Sequence, residues 1–422
     1  MRSTSALTAR RDVVRTARPR SSIGPYGGDM APFWQRRGEG RVDRAPSPGP
    51  VRPAADVHGA ADRALDAWGH LVGSAMAHRP GAVRVHDALD PRSPVAALWP
   101  FSQVLHAAVD VARLDEAGGA ATPAPRDPVA GDAHLTDPAR LVDALYGALA
   151  TYRSGEGYAT HPGGSHRFYD DDAWVGLAAV QAHRQRAGRA AAEGWLPVAR
   201  RAATFVVSGQ DPDGGVRWEE RRRPPSPRNA CSTAPAIALA LAMADLDPDA
   251  SDRWVGAAAG ADAWLHATLV APDGLVWDHV EPDGRVERTV WSYNLGSVIG
   301  ADLAWWRRTG EPARLDRART TAARALDHLT EGDRLWGQPP AFDAVFFRNL
   351  LALHATDEVP GAVEALDAYL DRAWTTARHP RTGRFTEGGI GHYDDGGTLD
   401  HAALVQLFAL RATPEAWATE IT

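Results

Sequence analysis

The sequence contains no lysine and only one cysteine, and each shortage excludes a class of chemistry. All 46 basic residues are arginine, which rules out a Schiff-base lysine and the lysine of a phosphate-binding P-loop. The single cysteine, Cys231, cannot form an internal disulfide or a multi-thiolate metal site. Runs of β-branched residues are also few, whereas alanine and leucine abound. This composition predicts an all-α fold.

Long apolar runs and excess positive charge are missing as well. No apolar stretch approaches the roughly 20 residues that span a bilayer, so we expect no membrane span. The formal net charge of -7 argues against a nucleic-acid partner. Arg10-Arg11 is not followed by the apolar segment of an export signal. As the sequence is written we expect a cytoplasmic protein, whereas a different start codon, such as Met30, would leave secretion open.

Beyond an N-terminal segment rich in arginine, proline and glycine, the chain is a succession of amphipathic helical patterns. We expect residues 1–54 to form a flexible tail and residues 55–415 to form one catalytic domain. Helical periodicity predicts twelve helices at 56–78, 94–115, 138–153, 170–187, 192–208, 229–246, 252–270, 292–309, 312–329, 342–355, 360–377 and 398–411.

The connections between these helices alternate in length, which predicts how they are arranged. Connections after odd-numbered helices are long and glycine-rich, and most of those after even-numbered helices are short. Six helical hairpins closed into a ring would place all the long loops, and the N-terminal ends of the even-numbered helices, on one face. The predicted fold is therefore an (α/α)6 toroid in which the even-numbered helices form the inner layer, with the site at that face.

Three consecutive acids, Asp170, Asp171 and Asp172, begin the fourth helix beside Tyr169 and Trp174. Neighbouring acids in apolar surroundings are costly to ionise together, so one of them is expected to keep its proton and serve as a general acid beside an ionised partner. Aromatic rings beside such a pair suit carbohydrate, because sugar faces stack on flat apolar surfaces. The alternative is structural, since acids at a helix start also favour its macrodipole and cap its N–H groups.

Other polar and aromatic residues are expected at the same face. Core packing explains the aromatic residues of Trp291-Ser292-Tyr293-Asn294 as well as sugar binding does, and the segment from Gln210 to Trp218 first of all indicates a turn. The catalytic candidates are Asp170 and Asp171, and the candidate substrate contacts are Trp99, Tyr169, Asp172, Trp174, Trp218, Asn229, Trp291, Tyr293, Asn294, Phe342 and His401.

A metal site is not predicted. The best candidate cluster lies on the last long loop and the helix after it, but its spacing matches neither zinc nor EF-hand patterns. A solvated loop next to an acid-capped helix explains the same residues, which are His392, Asp394, Asp395, Asp400 and His401.

Four of these segments, in this order, resemble the motifs of glycoside hydrolase family 76, the endo-α-1,6-mannanase family. The segments are Tyr169-Asp170-Asp171-Asp172-Ala173-Trp174, Arg228-Asn229-Ala230, Trp291-Ser292-Tyr293-Asn294-Leu295-Gly296 and Phe342-Asp343-Ala344-Val345-Phe346-Phe347-Arg348. The resemblance implies an (α/α)6 fold, no required cofactor, and a retaining mechanism with Asp170 as nucleophile and Asp171 as general acid/base. Val175, Leu295 and Asp343 differ from the family pattern, in which the corresponding residues are tryptophan, glutamine and lysine.

The expected function is therefore a monomeric glycosidase that cleaves α-1,6-mannosidic linkages in an oligo- or polysaccharide. Three alternatives remain open on the same fold. A sugar epimerase or isomerase would use His392 or His401 as its base. A transglycosylase would share the two carboxylates, and a non-catalytic glycan-binding protein would bind oligosaccharide without turnover.

Overall fold

The structure is a computed structural model that describes residues 57–79, 82–116, 138–186, 190–221, 225–385 and 397–419. Twelve α-helices lie in these ranges, as the periodicity predicts. They are α1 Val57–Ala75, α2 Leu98–Glu116, α3 Pro138–Leu149, α4 Tyr169–Gln185, α5 Ala190–Ser208, α6 Ala230–Leu246, α7 Ser251–Thr268, α8 Ser292–Thr309, α9 Pro312–Thr330, α10 Pro340–Thr356, α11 Ala362–Arg372 and α12 Thr398–Ala412. The predicted boundary between tail and domain lies outside the described residues and stays a prediction.

The six even-numbered helices form a closed inner ring. Each contacts the next, and α12 returns to contact α2. The outer helices α1, α3, α5, α7 and α9 pack mainly against α12, α2, α4, α6 and α8 respectively, while α11 packs against α10 and α12. The predicted (α/α)6 toroid, with even-numbered inner helices, is therefore confirmed.

The two layers differ in sequence because they differ in what surrounds them. Inner helix α6 is apolar around its whole circumference and is buried from Ala230 to Ala244, as expected of a helix with neighbours on every side. Outer helix α9 buries only a stripe at spacings of three and four residues, which includes Ala318, Ala322 and Leu329. Its charged residues lie on the other face.

Inner helices α8 and α10 approach closely at Gly296. A Cβ atom at this position would lie 2.5 Å from the Cα atom of Phe346, a distance that no side chain tolerates. The absence of a side chain at Gly296 therefore sets how closely α8 and α10 pack just after their first turns, and those first turns carry candidate site residues.

Short strands in the long connections are the main departure from the predicted all-helical pattern. Strands β1 Met76–Arg79 and β2 Ala82–Val85 form a hairpin, so α1 ends at Ala75 rather than at residue 78. Strands β3 Arg153–Ser154 and β4 Gly157–Tyr158 form a second hairpin. Strands β5 Arg228–Asn229, β6 His279–Val280 and β7 Val286–Glu287 form an antiparallel sheet in which β6 is central. This sheet links the connections that precede α6 and α8.

By length and apolar character, none of the helices in the described part of the chain could cross a membrane singly. The helices at Ala230–Leu246 and Pro248–Thr268, which are bent by 120° at their junction, pass that test only when taken together.

Candidate active site

The first turn of α4 divides its side chains between the centre of the ring and the outer layer. Phe168 is extended and pairs with Glu219, so the helix begins at Tyr169. Residues three apart share a helix face. Accordingly Tyr169 stacks on Phe205 of α5 with ring centroids 4.7 Å apart, and Asp172 Oδ1 accepts the backbone N–H of Tyr158 at 3.0 Å. Both side chains lie between the helix layers rather than at their predicted place in the cleft.

Asp170 is buried and accepts hydrogen bonds on both carboxylate oxygens. Its Oδ2 accepts the indole N–H of Trp218 at 3.2 Å and the thiol of Cys231 at 3.5 Å. Its Oδ1 accepts the backbone N–H of Asp171 at 3.1 Å. Burial raises the pKa of Asp170 to about 7, and the donors at Cys231, Asp171 and Trp218 oppose that rise because they favour the ionised form.

Asp171 is also buried, but it lacks such a set of donors. Burial, followed by the charge of Asp170, raises the pKa of Asp171 well above its usual range. No arginine or histidine forms an ion pair with either acid among the residues that the structure describes. Asp170 therefore loses its proton first, and Asp171 keeps its own beside a charged neighbour. The positive end of the α4 dipole adds to the stability of that single negative charge.

Four of the predicted aromatic contacts come together from three inner helices. The rings of Tyr293 and Phe342 stack with centroids 3.9 Å apart and planes at 11°. Trp99 stacks on both, at 6.2 Å from Tyr293 and 5.7 Å from Phe342. Trp291 meets Phe342 edge-on at 5.6 Å. Burial, followed by electrostatic interactions that include those with Cys231 and Asp170, raises the pKa of Tyr293 well above its usual range, so this aromatic wall lies near Asp170.

A second aromatic group contacts Asp170 through Trp218. Trp218, the donor to Asp170, contacts the ring of Phe168 at 4.8 Å, and Phe168 contacts that of His166 at 4.5 Å. The exposed His166 imidazole is held by buried Glu219, with 2.7 Å between Nε2 and Oε2. Two aromatic groups thus lie near the paired carboxyl groups, which suits an oxygen-rich ring with apolar faces.

Three buried polar residues are absent from the sequence-based prediction. Cys231 donates to Asp170, Asp278 directly precedes β6, and His279 is the first residue of that strand. Asp278 is fully buried; its Oδ1 accepts Asn294 Nδ2 at 3.0 Å, and its Oδ2 lies 2.8 Å from His279 Nδ1. Burial opposes protonation of His279, but hydrogen bonds and charges from Asp278 and Glu281 outweigh it and raise the pKa of His279. The available signal was an Asp-His pair in a long loop.

The predicted contacts Asn229 and Asn294 lie next to His279 and Asp278 respectively. Asn229 is the register partner of His279 in the sheet, and both amide side chains are buried with Oδ1 atoms that accept no hydrogen bond. An orphaned buried acceptor costs free energy unless a donor reaches it. Both amides therefore suit donors such as sugar hydroxyl groups.

Comparison with known proteins agrees with a carbohydrate-binding site. The family model described as glycosyl hydrolase family 76 matches residues 89–386, more than half of the chain. The chain belongs to glycosyl hydrolase family 76. It is therefore a glycosidase, as the sequence motifs predict. A search of curated proteins finds no match.

Solved structures show the same fold at low sequence identity. A family 76 glycoside hydrolase from a bovine Bacteroides thetaiotaomicron strain is 20% identical, with a TM-score of 0.70 over 84% of this chain and 78% of that one. A family 76 mannosidase from B. thetaiotaomicron VPI-5482 is 18% identical, with a TM-score of 0.70 over 85% and 99%. An inactive α-1,6-mannanase variant from Salegentibacter sp. HEL1_6, with two consecutive aspartates replaced by asparagine and α-1,6-mannotriose bound, is 19% identical, with a TM-score of 0.64 over 85% and 100%.

Two other predicted contacts of this family 76 glycosidase lie away from the carboxyl pair. His401 is buried between α12 and α1, where its Nε2 donates to the carbonyl of Ala67 at 2.8 Å, and burial lowers its pKa to about 4. This placement removes support for an epimerase that uses His401 as base. Trp174 lines a cavity of about 40 Å³ inside the ring, together with His106, Gln181 and Arg348.

The sequence also singles out Asp343 and the residues of the rejected metal cluster. Asp343, which occupies a position where the family pattern has lysine, is fully buried beside the hydroxyl groups of Ser292 and Tyr369, and burial raises its pKa well above the usual range. His392, Asp394 and Asp395 of the rejected metal cluster lie outside the described residues.

Among the described residues, one group of three side chains is compact enough to share a metal ion. The possible ligand atoms of Asp262, His266 and Asp302 lie within 4.8 Å of one another. Arg314 and Arg317 already bind these two carboxylates, so their negative charge is matched by two guanidinium groups. The arrangement is that of an ion-pair cluster joining α7, α8 and α9.

Proposed function

We propose that this family 76 glycosidase hydrolyses α-1,6-mannosidic linkages with retention of configuration, with Asp170 as nucleophile and Asp171 as general acid/base. The observation that carries the assignment of roles is the unequal hydrogen bonding of the two acids. Asp170 accepts three donors, whereas Asp171 is buried beside it and retains its proton. A nucleophile must be ionised and a general acid protonated, and the pair meets both requirements.

The chemistry then takes two steps that return the site to its starting state. In the first, a carboxylate oxygen of Asp170 attacks the anomeric carbon while the Asp171 proton passes to the leaving glycosidic oxygen. In the second, Asp171 removes a proton from water, which attacks the same carbon and releases the sugar from Asp170. Each displacement inverts the anomeric centre, so the product keeps the configuration of the substrate.

Mannose as the sugar is supported by the motifs and by the relatives rather than by geometry. The Salegentibacter mannanase variant binds α-1,6-mannotriose, and the family model covers the motifs that carry the site here. The aromatic wall of Trp99, Tyr293 and Phe342 offers flat apolar faces for pyranose rings. We propose oligo- or polymeric mannose as the substrate.

The test is digestion of α-1,6-mannotetraose followed by proton NMR of the anomeric signals, before mutarotation mixes them. We expect new reducing ends that appear first as the α-anomer. The same incubation with α-1,2- and α-1,3-linked mannooligosaccharides should release much less product. Asp170→Asn serves as the inactive control. A β-anomer formed first would contradict retention, and equal cleavage of all three linkages would contradict the proposed specificity.

A further inference from the structure

Cys231 donates a hydrogen bond to Asp170, although the sequence-based prediction assigns this residue no role at the site. It is the second residue of α6 and only 2% exposed, and its Sγ lies 3.5 Å from Asp170 Oδ2. The same oxygen accepts the indole N–H of Trp218 at 3.2 Å. Two donors from different parts of the fold therefore converge on one carboxylate oxygen.

The hydrogen bond between Cys231 and Asp170 has a defined donor and acceptor. An ionised carboxylate can only accept, so the bond between Cys231 and Asp170 requires the thiol to donate. The Cys231 thiol is therefore the donor in this hydrogen bond, and Asp170 Oδ2 is the acceptor.

The surroundings also exclude a nucleophilic role for the thiol. Burial, followed by the charges of Asp170 and Asp278, raises the pKa of Cys231 well above its usual range. A nucleophilic cysteine needs the opposite, a cationic setting that stabilises the thiolate. Cys231 remains a thiol and hence a hydrogen-bond donor.

We propose that Cys231 is a positioning residue, whose thiol holds the Asp170 carboxylate in its ionised form and in one orientation for attack. Trp218 anchors the same oxygen from the turn that precedes α6, so the two donors leave the carboxylate little rotational freedom. The inference rests on the proposed role of Asp170 as nucleophile.

The test compares Cys231→Ala, which removes the donor, with Cys231→Ser, which keeps one. Ser232→Ala is the matched control, because Ser232 is the adjacent buried residue and its hydroxyl donates to no partner. The pH dependence of kcat/KM on α-1,6-mannotetraose is measured for each variant. In parallel, carbon-13 NMR follows the titration of the Asp170 carboxyl in each variant and in its Asp170→Asn counterpart, which identifies the signal.

We expect Cys231→Ala to raise the acid limb of the profile by about 0.5–1 pH unit, because loss of a donor disfavours the ionised carboxylate. It should lower kcat by roughly 3–10-fold with little change in KM, since the lost interaction orients the nucleophile rather than binding the sugar. Cys231→Ser and Ser232→Ala should keep the limb in place. If Cys231→Ala loses thermal stability but leaves the limb unmoved, or if Cys231→Ser shifts as far as Cys231→Ala, the inference is wrong.

Two further measurements distinguish a failure of this inference from a failure of Cys231→Ala to fold and from a failure of the proposed function. Trp218→Phe removes the other donor to Asp170 Oδ2 and keeps an aromatic ring, so it should shift the limb in the same direction even where Cys231→Ala does not fold. An unmoved limb in a folded Trp218→Phe protein would contradict the control of Asp170 by donors to this oxygen. If the unchanged protein cleaves no mannooligosaccharide, the proposed function falls. The carbon-13 titration of Asp170 still decides whether Cys231 affects that carboxyl.

Discussion

Two groups of buried aspartates lie within the same ring of helices, and only one of them has arginine partners. Asp262 and Asp302, on α7 and α8, are bound by Arg314 and Arg317 of α9. Asp170 and Asp171, at the start of α4, lie among aromatic side chains and uncharged donors. The same residue type at similar burial is therefore ion-paired in one place and, among the described residues, has no arginine partner in the other.

The two groups differ in whether a guanidinium group balances the carboxylate charge, rather than in how deeply the aspartates are buried. A buried carboxylate with a guanidinium partner is held ionised, and removal of either partner leaves an uncompensated charge. A buried carboxyl without a cation avoids that cost by keeping its proton. The first arrangement joins helices, and the second holds a proton that the proposed mechanism would use.

The largest expected effect concerns the proton donor. Asp171→Asn should lower kcat on α-1,6-mannotetraose by about 10²–10⁴-fold, the usual contribution of general acid–base catalysis. Asp302→Asn should leave kcat per folded molecule unchanged, because Asp302 binds Arg317 between α8 and α9 and takes no part in the proposed chemistry. Initial rates, normalised by the folded fraction from circular dichroism, measure both. Equal losses in the two variants would erase the distinction between the groups.

The second prediction addresses stability at the ion-paired group. Asp302→Asn removes the charge that binds Arg317 and should lower the free energy of unfolding in urea by about 2–3 kcal/mol. The full cost of breaking a buried pair is not expected, because the Arg317 side chain is 37% exposed and can turn toward water. Asp316→Asn, which breaks an exposed pair with Arg319, is the control and should cost below about 1 kcal/mol. Equal costs would mean that burial adds nothing.

The third prediction is that Asp170→Asn stabilises the fold while it abolishes activity. The pKa of Asp170 is raised from 3.8 to about 7 in the folded protein, so the folded state binds this proton more tightly than the unfolded chain does. Ionisation therefore destabilises the protein as pH rises from about 4 to about 7. The variant should match the unchanged protein near pH 4 and exceed it by on the order of 1–2 kcal/mol at pH 8. Thermal melts across this range measure the gap, and a gap that shrinks with pH would contradict the sign.

The smallest expected effect separates Asp172 from its neighbours. Burial raises the pKa of Asp172 well above its usual range, and its Oδ1 already accepts the Tyr158 N–H. Asparagine has the same shape and keeps that acceptor, so Asp172→Asn should change kcat/KM little. A loss as large as that of Asp171→Asn would return Asp172 to its predicted place among the substrate contacts.

The sequence predicted the architecture because the fold depends on regular patterns. Apolar periodicity marks the helices, and alternating connection lengths decide which helices lie inside the ring. The β1–β2 hairpin was missed, because its strands continue an apolar pattern next to α1 and only pairing between Met76 and Val85 reveals them. The cluster of Trp99, Trp291, Tyr293 and Phe342 was also predicted, since all four lie at the starts of inner helices.

What the sequence determined by itself is the ring of helix pairs, the face that carries the site and the family motifs at that face. Tertiary structure alone decided which side chains of one helical turn point inward, placing Asp170 and Asp171 in the candidate site and directing Tyr169 and Asp172 to the outer layer. It also brought Trp218 and Cys231 to the Asp170 carboxylate from separate parts of the chain. Periodicity is a local property that a sequence displays, whereas the pKa of a buried acid depends on partners that are distant along the chain.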